Sequence, residues 1–529
     1  MLVPLISTFI TLILLNLQAS KITMKKFFPI ALLVVCISTL HSEVTPNLLF
    51  SDNAVIQQHR PVPIWGSASD GEKVLVEFAG QKAEVIATNG IWSVTLNPLE
   101  ASITPQTLTI SGSTNSVTFT NILIGEVWVC SGQSNMERQL GPRRGQKPII
   151  NWEAEAQEAD HPLIRHFLVK NNVSTSPIST LSGAWEVCSP KTVTNFTAVG
   201  YFFARDLQTN IKVPIGLIHS SWGGTPAEAW TSSEALAGNP TLLPMLTRYS
   251  NAIANYPIAL SKFQSEEPKL KANYTNACAL AVAQGKPTPR PPTPPGNPGK
   301  SQNNPTLLFN GMIHPLIPYA MRGVIWYQGE SNGGRGKEYQ TLFPTMIADW
   351  RKRWGEGDFP FLYVQVAPFF KMPPEIREAQ FLTLKRTSNT AMAVITDHGD
   401  ANDIHPAEKQ PVGERLALAA RALAYGEAIE YSGPLFKNAE FQGTNAIVSF
   451  SHSGKGLVAK GGDLRGFEIS GPDGKFVSAT AVINGTNIIV SAPGITAPSG
   501  VRFGWSNVPD VNLFNKEGLP ASPFRSNPD

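Results

Sequence analysis

Residues Ile122-Leu-Ile-Gly-Glu-Val-Trp-Val-Cys130 lead directly into Ser131-Gly-Gln-Ser-Asn-Met136, and these two segments are the strongest indication of the fold. The first segment is a nearly continuous apolar run, which is typical of a strand buried on both faces of a parallel sheet. The second segment is small and polar, as expected for the turn after such a strand. Because open parallel sheets bind ligands beyond the carboxyl ends of their strands, Ser134 stands where a nucleophile is expected. A helix N-cap is the alternative role for Ser134, since serine favours that position.

The same pattern repeats along the chain, because further apolar strands alternate with amphipathic helices. Strands are predicted at 215–219, 323–327, 361–366 and 391–396, and helices at 198–207, 339–354, 375–387 and 408–425. This alternation predicts an α/β domain at residues 121–425, with a parallel sheet covered by helices on both faces. Residues 232–304 interrupt it with two helix-like pieces and a proline-rich run at 286–298, which we expect to be an extended surface loop.

Runs of β type flank this domain on both sides. Residues 43–120 carry short alternating or β-branched runs divided by turns such as Asp70-Gly71, which predicts an N-terminal β-domain in the form of a small sandwich. Residues 426–529 return to the same pattern and predict a C-terminal β-domain. A length of 529 residues, 42% of them hydrophobic, agrees with two or three domains.

The N-terminal residues 1–42 are typical of a secretory signal region. Lys25-Lys26 precedes an apolar run at 27–40 and then small and polar residues. A second apolar run at 2–15 lies upstream of Met24, and we expect Met24 to be the true start. We therefore predict a secreted protein, periplasmic or extracellular, with no stable membrane insertion after signal removal. The alternatives are an anchor built from both apolar runs and a lipoprotein signal at Cys36, although Val35 is large for the position before such a cysteine.

The charge balance and the cysteines exclude several classes of protein. Charged residues make up 16% of the chain and the formal net charge is +3, so the sequence has no basic footprint for nucleic acid. If Cys36 leaves with the signal, Cys130, Cys188 and Cys278 remain, which allows at most one disulfide. The sequence has no Cys-x-x-Cys pair or histidine-rich cluster that would suggest a metal site.

Four ordered blocks resemble those of the SGNH hydrolases, in the form found in sialate O-acetylesterases and related carbohydrate acetylesterases. The blocks are Gly132-Gln-Ser-Asn-Met136, Ser220-Ser-Trp-Gly-Gly-Thr-Pro-Ala-Glu-Ala-Trp230, Arg322-Gly-Val-Ile-Trp-Tyr-Gln-Gly-Glu-Ser-Asn332 and Asp403-Ile-His-Pro406. Segments 309–315 and 377–380 are also similar, and the resemblance runs from about residue 47 to the end. The first block departs from the Gly-x-Ser-x-Gly elbow of the α/β-hydrolases because residue 136 is Met.

This resemblance implies an SGNH-type, flavodoxin-like sheet and a secreted serine esterase that removes O-acetyl groups from sugars through an acyl-enzyme. Sialic acids are the first expected substrate, and acetylxylan or another acetylated polysaccharide is the alternative. The resemblance implies an O-acetylated sugar or glycan as the partner, and neither a metal nor an organic cofactor. An inactive carbohydrate-binding protein on the same fold is the alternative of another class. The sequence does not fix the sugar or the oligomeric state.

The resemblance also assigns the reacting groups. By this resemblance, Ser134 is the nucleophile and His405 is the base. Histidine suits that role because its pKa, about 6.5 when unperturbed, lies near working pH. The oxyanion donors are the backbone N–H of Ser134, that of Gly223 or Gly224, and the side-chain amide of Gln328, where many SGNH enzymes carry Asn. The alternative for Gln328 is a buried amide that satisfies loop carbonyls.

The group that orients His405 is left open by the sequence. Many SGNH enzymes carry Asp three residues before the histidine, where this chain has Asn402. We rank Asp403 first, Asp400 second and a backbone carbonyl third. Three other histidines could compete as the base, although we expect structural or substrate-contacting roles for them: His219, His314 and His398.

Side chains beside the reacting groups are expected to contact the substrate: Gln133, Asn135, Trp222, Glu330 and Arg377. Tryptophan can stack on the face of a sugar, and arginine can bind a carboxylate such as that of sialic acid through two hydrogen bonds. For Arg322, which could serve the same purpose, we favour a structural role.

Overall fold

The computed structural model describes residues 43–527 and puts the apolar stretch that precedes Ser134 at the centre of one large sheet. The predictions for residues 1–42, which concern the signal region, the start at Met24 and Cys36, lie outside the described residues. Residues 43–527 belong to one compact unit.

Between residue 43 and Ser134 the chain forms eight strands, which are Thr45–Pro46 (β1), Val55–Gln57 (β2), Val62–Ser67 (β3), Lys73–Phe78 (β4), Gln81–Ile86 (β5), Ile91–Leu96 (β6), Ser102–Ser111 (β7) and Ser116–Gly132 (β8). β1, β3 and β6 form one antiparallel sheet, and β4, β5 and β7 join the first part of β8. β8 is 17 residues long and crosses the predicted domain boundary at residue 120. Its later residues belong to the central sheet, so one strand connects the two regions.

The central region continues the strand and helix alternation predicted from the sequence. Its elements are Ser134–Glu137 (α1), Trp152–Glu158 (α2), His161–Leu168 (β9), Trp185–Cys188 (β10), Ala198–Ile211 (α3), Ile215–Ser221 (β11), Ser233–Ala237 (α4), Leu243–Ala283 (α5), Gly323–Tyr327 (β12), Gly336–Trp354 (α6), Phe361–Val364 (β13), Pro374–Arg386 (α7), Thr390–Ala393 (β14) and Gln410–Tyr425 (α8). Single helical turns lie between them at Val193–Asn195, Ala227–Trp230, Pro298–Lys300, Phe309–Ile313, His314–Leu316 and Glu330–Arg335.

The strand order of the central sheet is β10-β9-β11-β8-β12-β13-β14. In this order, all neighbouring strands from β9 through β11, β8, β12 and β13 to β14 pair in parallel. The edge strand β10 pairs with β9 in the antiparallel direction. The central strands are parallel, as predicted, and antiparallel strands join the sheet at β10 and along β7. The molecule has a mixed α/β fold with a large mixed sheet and additional β-sheet regions.

Helices cover both faces of the sheet, as predicted. Trp128 and Cys130 pack with Phe202 of α3 and Leu416 of α8 in one buried cluster. Val127 and Val129 point to the opposite face and belong to a second cluster with residues of α6 and α7. Because successive side chains of a strand point to opposite faces, β8 supplies both cores, which explains its unbroken apolar sequence.

The region between β11 and β12 contains α4, the 41-residue helix α5 and the proline-rich run. α5 includes Pro257 and Pro268, and Met245 is its one buried residue. Residues 286–297 form neither helix nor strand, as predicted from their prolines.

The chain after α8 is entirely of β type among the described residues, as predicted. Its strands are Leu435–Gln442 (β15), Asn445–Ser451 (β16), Leu457–Ala459 (β17), Phe467–Ser470 (β18), Phe476–Ser478 (β19), Thr480–Asn484 (β20), Asn487–Ser491 (β21), Gly500–Phe503 (β22), Leu513–Asn515 (β23) and Phe524–Arg525 (β24). Arg525 binds Glu378 of α7 at 2.7 Å, which connects this region to the helical layer. Whether the three regions are separate domains stays a prediction.

Cys130, Cys188 and Cys278 are all free thiols, and the first two are buried. No helix within residues 43–527 has the length and apolar character needed to cross a membrane.

Candidate active site

Three parallel strands end side by side and bring three of the four sequence blocks together. Gly132 at the end of β8 is in register with Ser221 on β11 and with Tyr327 on β12. Gly132 has a φ of 135°, and a Cβ atom built on it would lie 2.2 Å from the Tyr327 carbonyl oxygen. Only glycine fits this position, and the turn that follows directs Ser134 above the edge of the sheet.

Ser134 is the first residue of α1, and its Oγ lies 2.9 Å from Nε2 of His405. The N-cap of α1 is Gln133, and no side chain caps this helix. The alternative role of Ser134 as an N-cap is therefore wrong. The side chain instead forms the hydroxyl–imidazole pair that a serine nucleophile requires.

Asp403 is the carboxylate beside the second ring nitrogen of His405. Its Oδ1 lies 3.7 Å from Nδ1 and accepts the backbone N–H of His405 at 2.9 Å. Asp400, ranked second, forms an ion pair with Lys147 and accepts the backbone N–H of Asn402 at 2.9 Å. Asp403 therefore holds the better position to orient the imidazole.

Two backbone N–H groups beside Ser134 are available for an oxyanion. Among the described residues, no acceptor binds the backbone N–H of Ser134 or that of Gly223. A Cβ built on Gly223 would lie 3.3 Å from Cβ of Ser134, so the Gly223 backbone lies directly against the nucleophile. Gly224 has a φ of 76° and shapes the same turn. Unpaired donors next to a nucleophile are the arrangement that stabilises a tetrahedral intermediate.

Gln328 does not supply the third donor in this structure. Its Nε2 donates to Oδ1 of Asn332 at 2.7 Å and to the Thr225 carbonyl at 3.2 Å, and its Oε1 accepts from the Tyr339 hydroxyl at 3.0 Å. Both amide protons are engaged and the side chain is fully buried. The expected oxyanion role is corrected to the alternative, a buried amide that ties the loops after β11 and β12 together.

A cavity of about 460 Å³ opens above Ser134 and His405. Of the residues expected to contact substrate, Gln133, Trp222 and Glu330 line it. The sequence did not single out the other side chains of this wall: Glu137, Arg143, Gln146, Ser331 and Ile404. Oε1 of Gln133 accepts the backbone N–H of Ser331 at 3.1 Å, and its Nε2 has no protein partner among the described residues.

Asn135 and Arg377 lie outside this cavity, which corrects two expected substrate contacts. Asn135 is fully buried and binds neighbouring loops instead. Arg377 is also fully buried, and its Nη2 donates to the carbonyls of Ser506 and Asn507 in the C-terminal β-region. Family position alone did not reveal the direction in which these side chains point.

Two further arginines, Arg322 before β12 and Arg143 on the cavity wall, are paired with carboxylates. Arg322 binds Glu126 through two hydrogen bonds of 2.6 and 2.8 Å, which confirms the structural role favoured from the sequence. Arg143, on the cavity wall, donates from Nη1 to Oε2 of Glu137 at 2.8 Å. The cavity therefore carries one arginine, and an acidic neighbour holds it.

The rival histidines have other partners. Nε2 of His219 lies 2.5 Å from Oγ of Ser221, and burial lowers the pKa of His219 to about 3. Nδ1 of His314 contacts the Ile178 carbonyl and Nδ1 of His398 contacts Glu408. None of the three contacts Ser134, so His405 is the histidine that serves the site.

The electrostatics of the site favour neutral His405. Partial burial lowers the pKa of His405, the positive charge of Lys409 lowers it further, and Asp403 opposes both effects. Burial raises the pKa of Glu330 despite its hydrogen bond from Asn135. Residues 43–527 contain no group of three or more His, Cys, Asp or Glu side chains placed to hold a metal ion.

Known proteins match both the sequence and the fold. The family model described as carbohydrate esterase, sialic acid-specific acetylesterase, matches residues 124–272 and 306–421, which is half of the chain. A sialate O-acetylesterase from Rattus norvegicus is 29% identical over 540 residues, covering 90% of this chain and 93% of the rat protein. The Homo sapiens protein of that name is 29% identical over 467 residues, covering 80% of this chain and 79% of the human protein.

A crystal structure of a carbohydrate acetylesterase from Xanthomonas citri has the same fold. It matches with a TM-score of 0.76 and 36% identity, covering 92% of this chain and 99% of that protein. The matched segments include the strand ends, Ser134 and His405 described above. The chain therefore belongs to the sialic acid-specific acetylesterase family of carbohydrate esterases, which are carboxylic ester hydrolases.

Proposed function

We propose that this protein is a secreted serine esterase that removes O-acetyl groups from sugars, with O-acetylated sialic acid as the first candidate substrate. The observation that carries the proposal is the 2.9 Å contact between Ser134 Oγ and His405 Nε2 at the mouth of an open cavity. The family and its relatives support sugar deacetylation, and the geometry supports the serine mechanism.

In the proposed reaction, Oγ of Ser134 attacks the acetyl carbonyl while Nε2 of His405 takes the hydroxyl proton. The imidazolium then returns this proton to the sugar oxygen as the bond between that oxygen and the carbonyl carbon breaks. His405 then takes a proton from a water molecule that attacks the acetyl carbonyl of the acyl-enzyme. The imidazolium returns this proton to Oγ of Ser134 as the acyl bond breaks, which frees the serine and releases acetic acid, which ionises to acetate. Asp403 stabilises the imidazolium that forms in each half-reaction.

We propose three donors for the oxyanion of each tetrahedral intermediate. Two are the backbone N–H groups of Ser134 and Gly223, which have no acceptor among the described residues. The third is the side-chain amide of Gln133, which lines the cavity and whose Nε2 has no protein partner among residues 43–527. Such donors act strongly because they are held in place before the charge develops.

The SGNH, flavodoxin-like arrangement is likewise a proposal. If β9 and β10 are set aside as additions at one edge, the remaining order β11-β8-β12-β13-β14 corresponds to 2-1-3-4-5 in chain order. That order is the flavodoxin-like one, in which ligands bind at the switch point between the first and third strands, where the order of the strands reverses. Ser134 follows the first of these strands, which supports the assignment.

A neutral acetylated polysaccharide such as acetylxylan is the second candidate, and one observation favours it. Sialic acid carries a carboxylate, yet the arginine of the cavity wall, Arg143, is already bound to Glu137. Arg322 and Arg377, which the sequence offered for a carboxylate, bind elsewhere. The relatives named sialate O-acetylesterase favour sialic acid as the substrate. The pairing of Arg143 with Glu137 favours a neutral sugar, because it leaves no unpaired arginine among the described residues of the cavity wall for a carboxylate.

Secretion is proposed from the sequence of residues 1–42, which has the order of a signal peptide. Expression of the full chain with a C-terminal tag, followed by N-terminal sequencing of the exported protein, tests it. A mature N-terminus near residue 43 supports the proposal, and retention of residues 25–40 in the membrane fraction favours the anchor.

The activity is tested by acetate release from O-acetylated sialic acid and from acetylated xylan. Wild type is compared with Ser134→Ala and with Ser131→Ala, a matched control whose buried hydroxyl has no partner among the described residues. We expect release by wild type and Ser131→Ala and a loss of about a thousandfold or more in Ser134→Ala. Equal release by all three would contradict the serine mechanism, and sugar binding without release by wild type would favour the carbohydrate-binding alternative.

A further inference from the structure

A buried lysine stands behind the catalytic pair. Lys409 lies four residues after His405, immediately before α8, and only 1% of its surface is exposed. Its Nζ donates to Oδ1 of Asn135 at 2.5 Å. Lysine is almost never fully buried unless a partner holds it, so this position calls for an explanation.

The partner of Lys409 connects the three segments that carry the site. The amide nitrogen of Asn135 donates to Oε1 of Glu330 at 2.6 Å and to the Ile404 carbonyl at 3.0 Å. Asn135 follows Ser134, Ile404 precedes His405, and Glu330 lines the cavity. The Asn135 side chain therefore fixes the turn that carries Ser134 relative to the loop that carries His405. Lys409 in turn fixes the orientation of the Asn135 side chain.

We propose that Lys409 is a positioning residue for the Ser134–His405 pair. Its ammonium holds Asn135 so that the amide bridges Glu330 and the His405 loop, and its positive charge keeps the nearby imidazole in the neutral form that accepts a proton. The inference rests on the proposed function, because it assumes that Ser134 and His405 carry the reaction. Neither the blocks of sequence nor the cavity lining pointed to this residue.

The groups around Lys409 balance its charge only in part. Burial lowers the pKa of Lys409 to about 7, Glu330 and Asp403 oppose this shift, and Arg138 adds to it. The face of the Tyr327 ring lies 5.2 Å from Nζ, which is favourable for a cation. The positive charge of Lys409 acts on His405 in the direction of a lower pKa, as do Arg143 and Arg138, whereas Asp403 acts in the opposite direction.

The test compares wild type with Lys409→Met and Lys409→Arg, using an aryl acetate as the probe and measuring kcat, KM and the pH dependence of kcat/KM. In Lys409→Met we expect kcat to fall about tenfold or more with KM nearly unchanged, because the substrate contacts stay in place. The acid limb of the profile should move upward by about 0.5 pH unit, because the removed charge no longer disfavours imidazolium. Lys409→Arg should restore the wild-type acid limb.

Thermal unfolding of each variant shows whether the fold is retained. If Lys409→Met does not fold, Lys409→Gln supplies a neutral side chain that can still donate to Asn135, and the same upward shift is expected. A folded neutral variant with wild-type kcat and pH profile overturns the proposal, and so does reduced activity with an unmoved acid limb, which indicates a merely structural role. Ser134→Ala, assayed in parallel, separates the two proposals, since its full activity would contradict the serine mechanism rather than the role of Lys409.

Discussion

Oγ of Ser134 and Nε2 of His405 lie 2.9 Å apart although 271 positions separate the two residues in the sequence. Because α1 and the loop before α8 follow different strands, the contact depends on the sheet, which sets both loops at one edge. The hydroxyl can be activated only while the imidazole is neutral, so the ionisation of His405 governs activity.

The first prediction concerns pH. Burial and the charge of Lys409 lower the pKa of His405 below its ordinary value of 6.5. The neutral base therefore persists to lower pH than in a free histidine, and kcat/KM should fall only as the pH drops through a value below 6.5. The pH at which activity falls is measured from kcat/KM for an aryl acetate across the acid range. The Ser134→Ala variant gives the rate of hydrolysis that does not depend on the serine. An acid limb centred above 6.5 would contradict the electrostatic account.

The second prediction separates the two candidate acids. Asp403→Asn should lower kcat by about a hundredfold or more, because the neutral amide no longer stabilises the imidazolium at a 3.7 Å separation from Nδ1. Asp400→Asn is the matched control, since its carboxylate binds Lys147 on the surface. We expect it to keep kcat within about threefold of wild type, as is usual for exposed ion pairs. The reverse order of the two effects would assign the orienting role to Asp400.

The core strands could be predicted because a strand buried on both faces needs apolar residues throughout, which β8, β11, β12 and β13 show. β9 was missed because Pro162, Arg165 and His166 interrupt its apolar pattern, although His166 is buried against Phe196. The continuity of α5 could not be predicted either. Proline normally ends a helix, yet Pro257 and Pro268 lie inside this one.

The residues of the site also fall into those that the sequence predicted and those that it did not. Ser134 and His405 were predictable because each block follows a strand, and strand ends converge. The direction of Gln328, Asn135 and Arg377 depends on which polar groups the neighbouring loops leave unpaired, and one sequence does not record that. Lys409 was missed because its burial arises from the packing of distant segments, while its local sequence is polar.

The third prediction compares two adjacent glycines. A Cβ on Gly223 would lie 3.0 Å from Oε2 of Glu137 and 3.3 Å from Cβ of Ser134, so Gly223→Ala should displace the nucleophile or its donor. We expect kcat to fall by about a hundredfold, as for loss of an oxyanion donor, with a small change in stability. Gly224→Ala meets no atom within 4 Å but keeps a φ of 76°. It should cost about 1 kcal/mol of stability and little activity.

Steady-state kinetics and thermal unfolding of both alanine variants give the comparison. Retention of wild-type kcat in Gly223→Ala would show that the added Cβ displaces neither the Ser134 side chain nor the Gly223 N–H, and would contradict the expected crowding. A larger kinetic loss in Gly224→Ala would transfer the role of oxyanion donor to Gly224.

The last prediction contrasts Gln133 with Gln328. The sequence placed Gln328 in the oxyanion hole and Gln133 at the substrate, whereas the proposal makes Gln133 an oxyanion donor and the structure pairs the Gln328 amide within the protein. Gln133→Ala should lower kcat by about a hundredfold, because the side chain lines the cavity and its Nε2 has no protein partner among the described residues. It removes one hydrogen bond, from the Ser331 N–H, and should cost about 1 kcal/mol of stability. Gln328→Ala should lower the free energy of unfolding by about 1–3 kcal/mol, because it removes the hydrogen-bond partner of the buried Tyr339 hydroxyl and of the Thr225 carbonyl. Activity per folded molecule should change less in Gln328→Ala than in Gln133→Ala. Denaturant unfolding and kcat, measured on the same preparations of both variants, test this contrast. A stable Gln328→Ala protein with a hundredfold lower kcat would contradict it. That result would return Gln328 to the oxyanion hole, because its amide would then have to turn toward the substrate during the reaction.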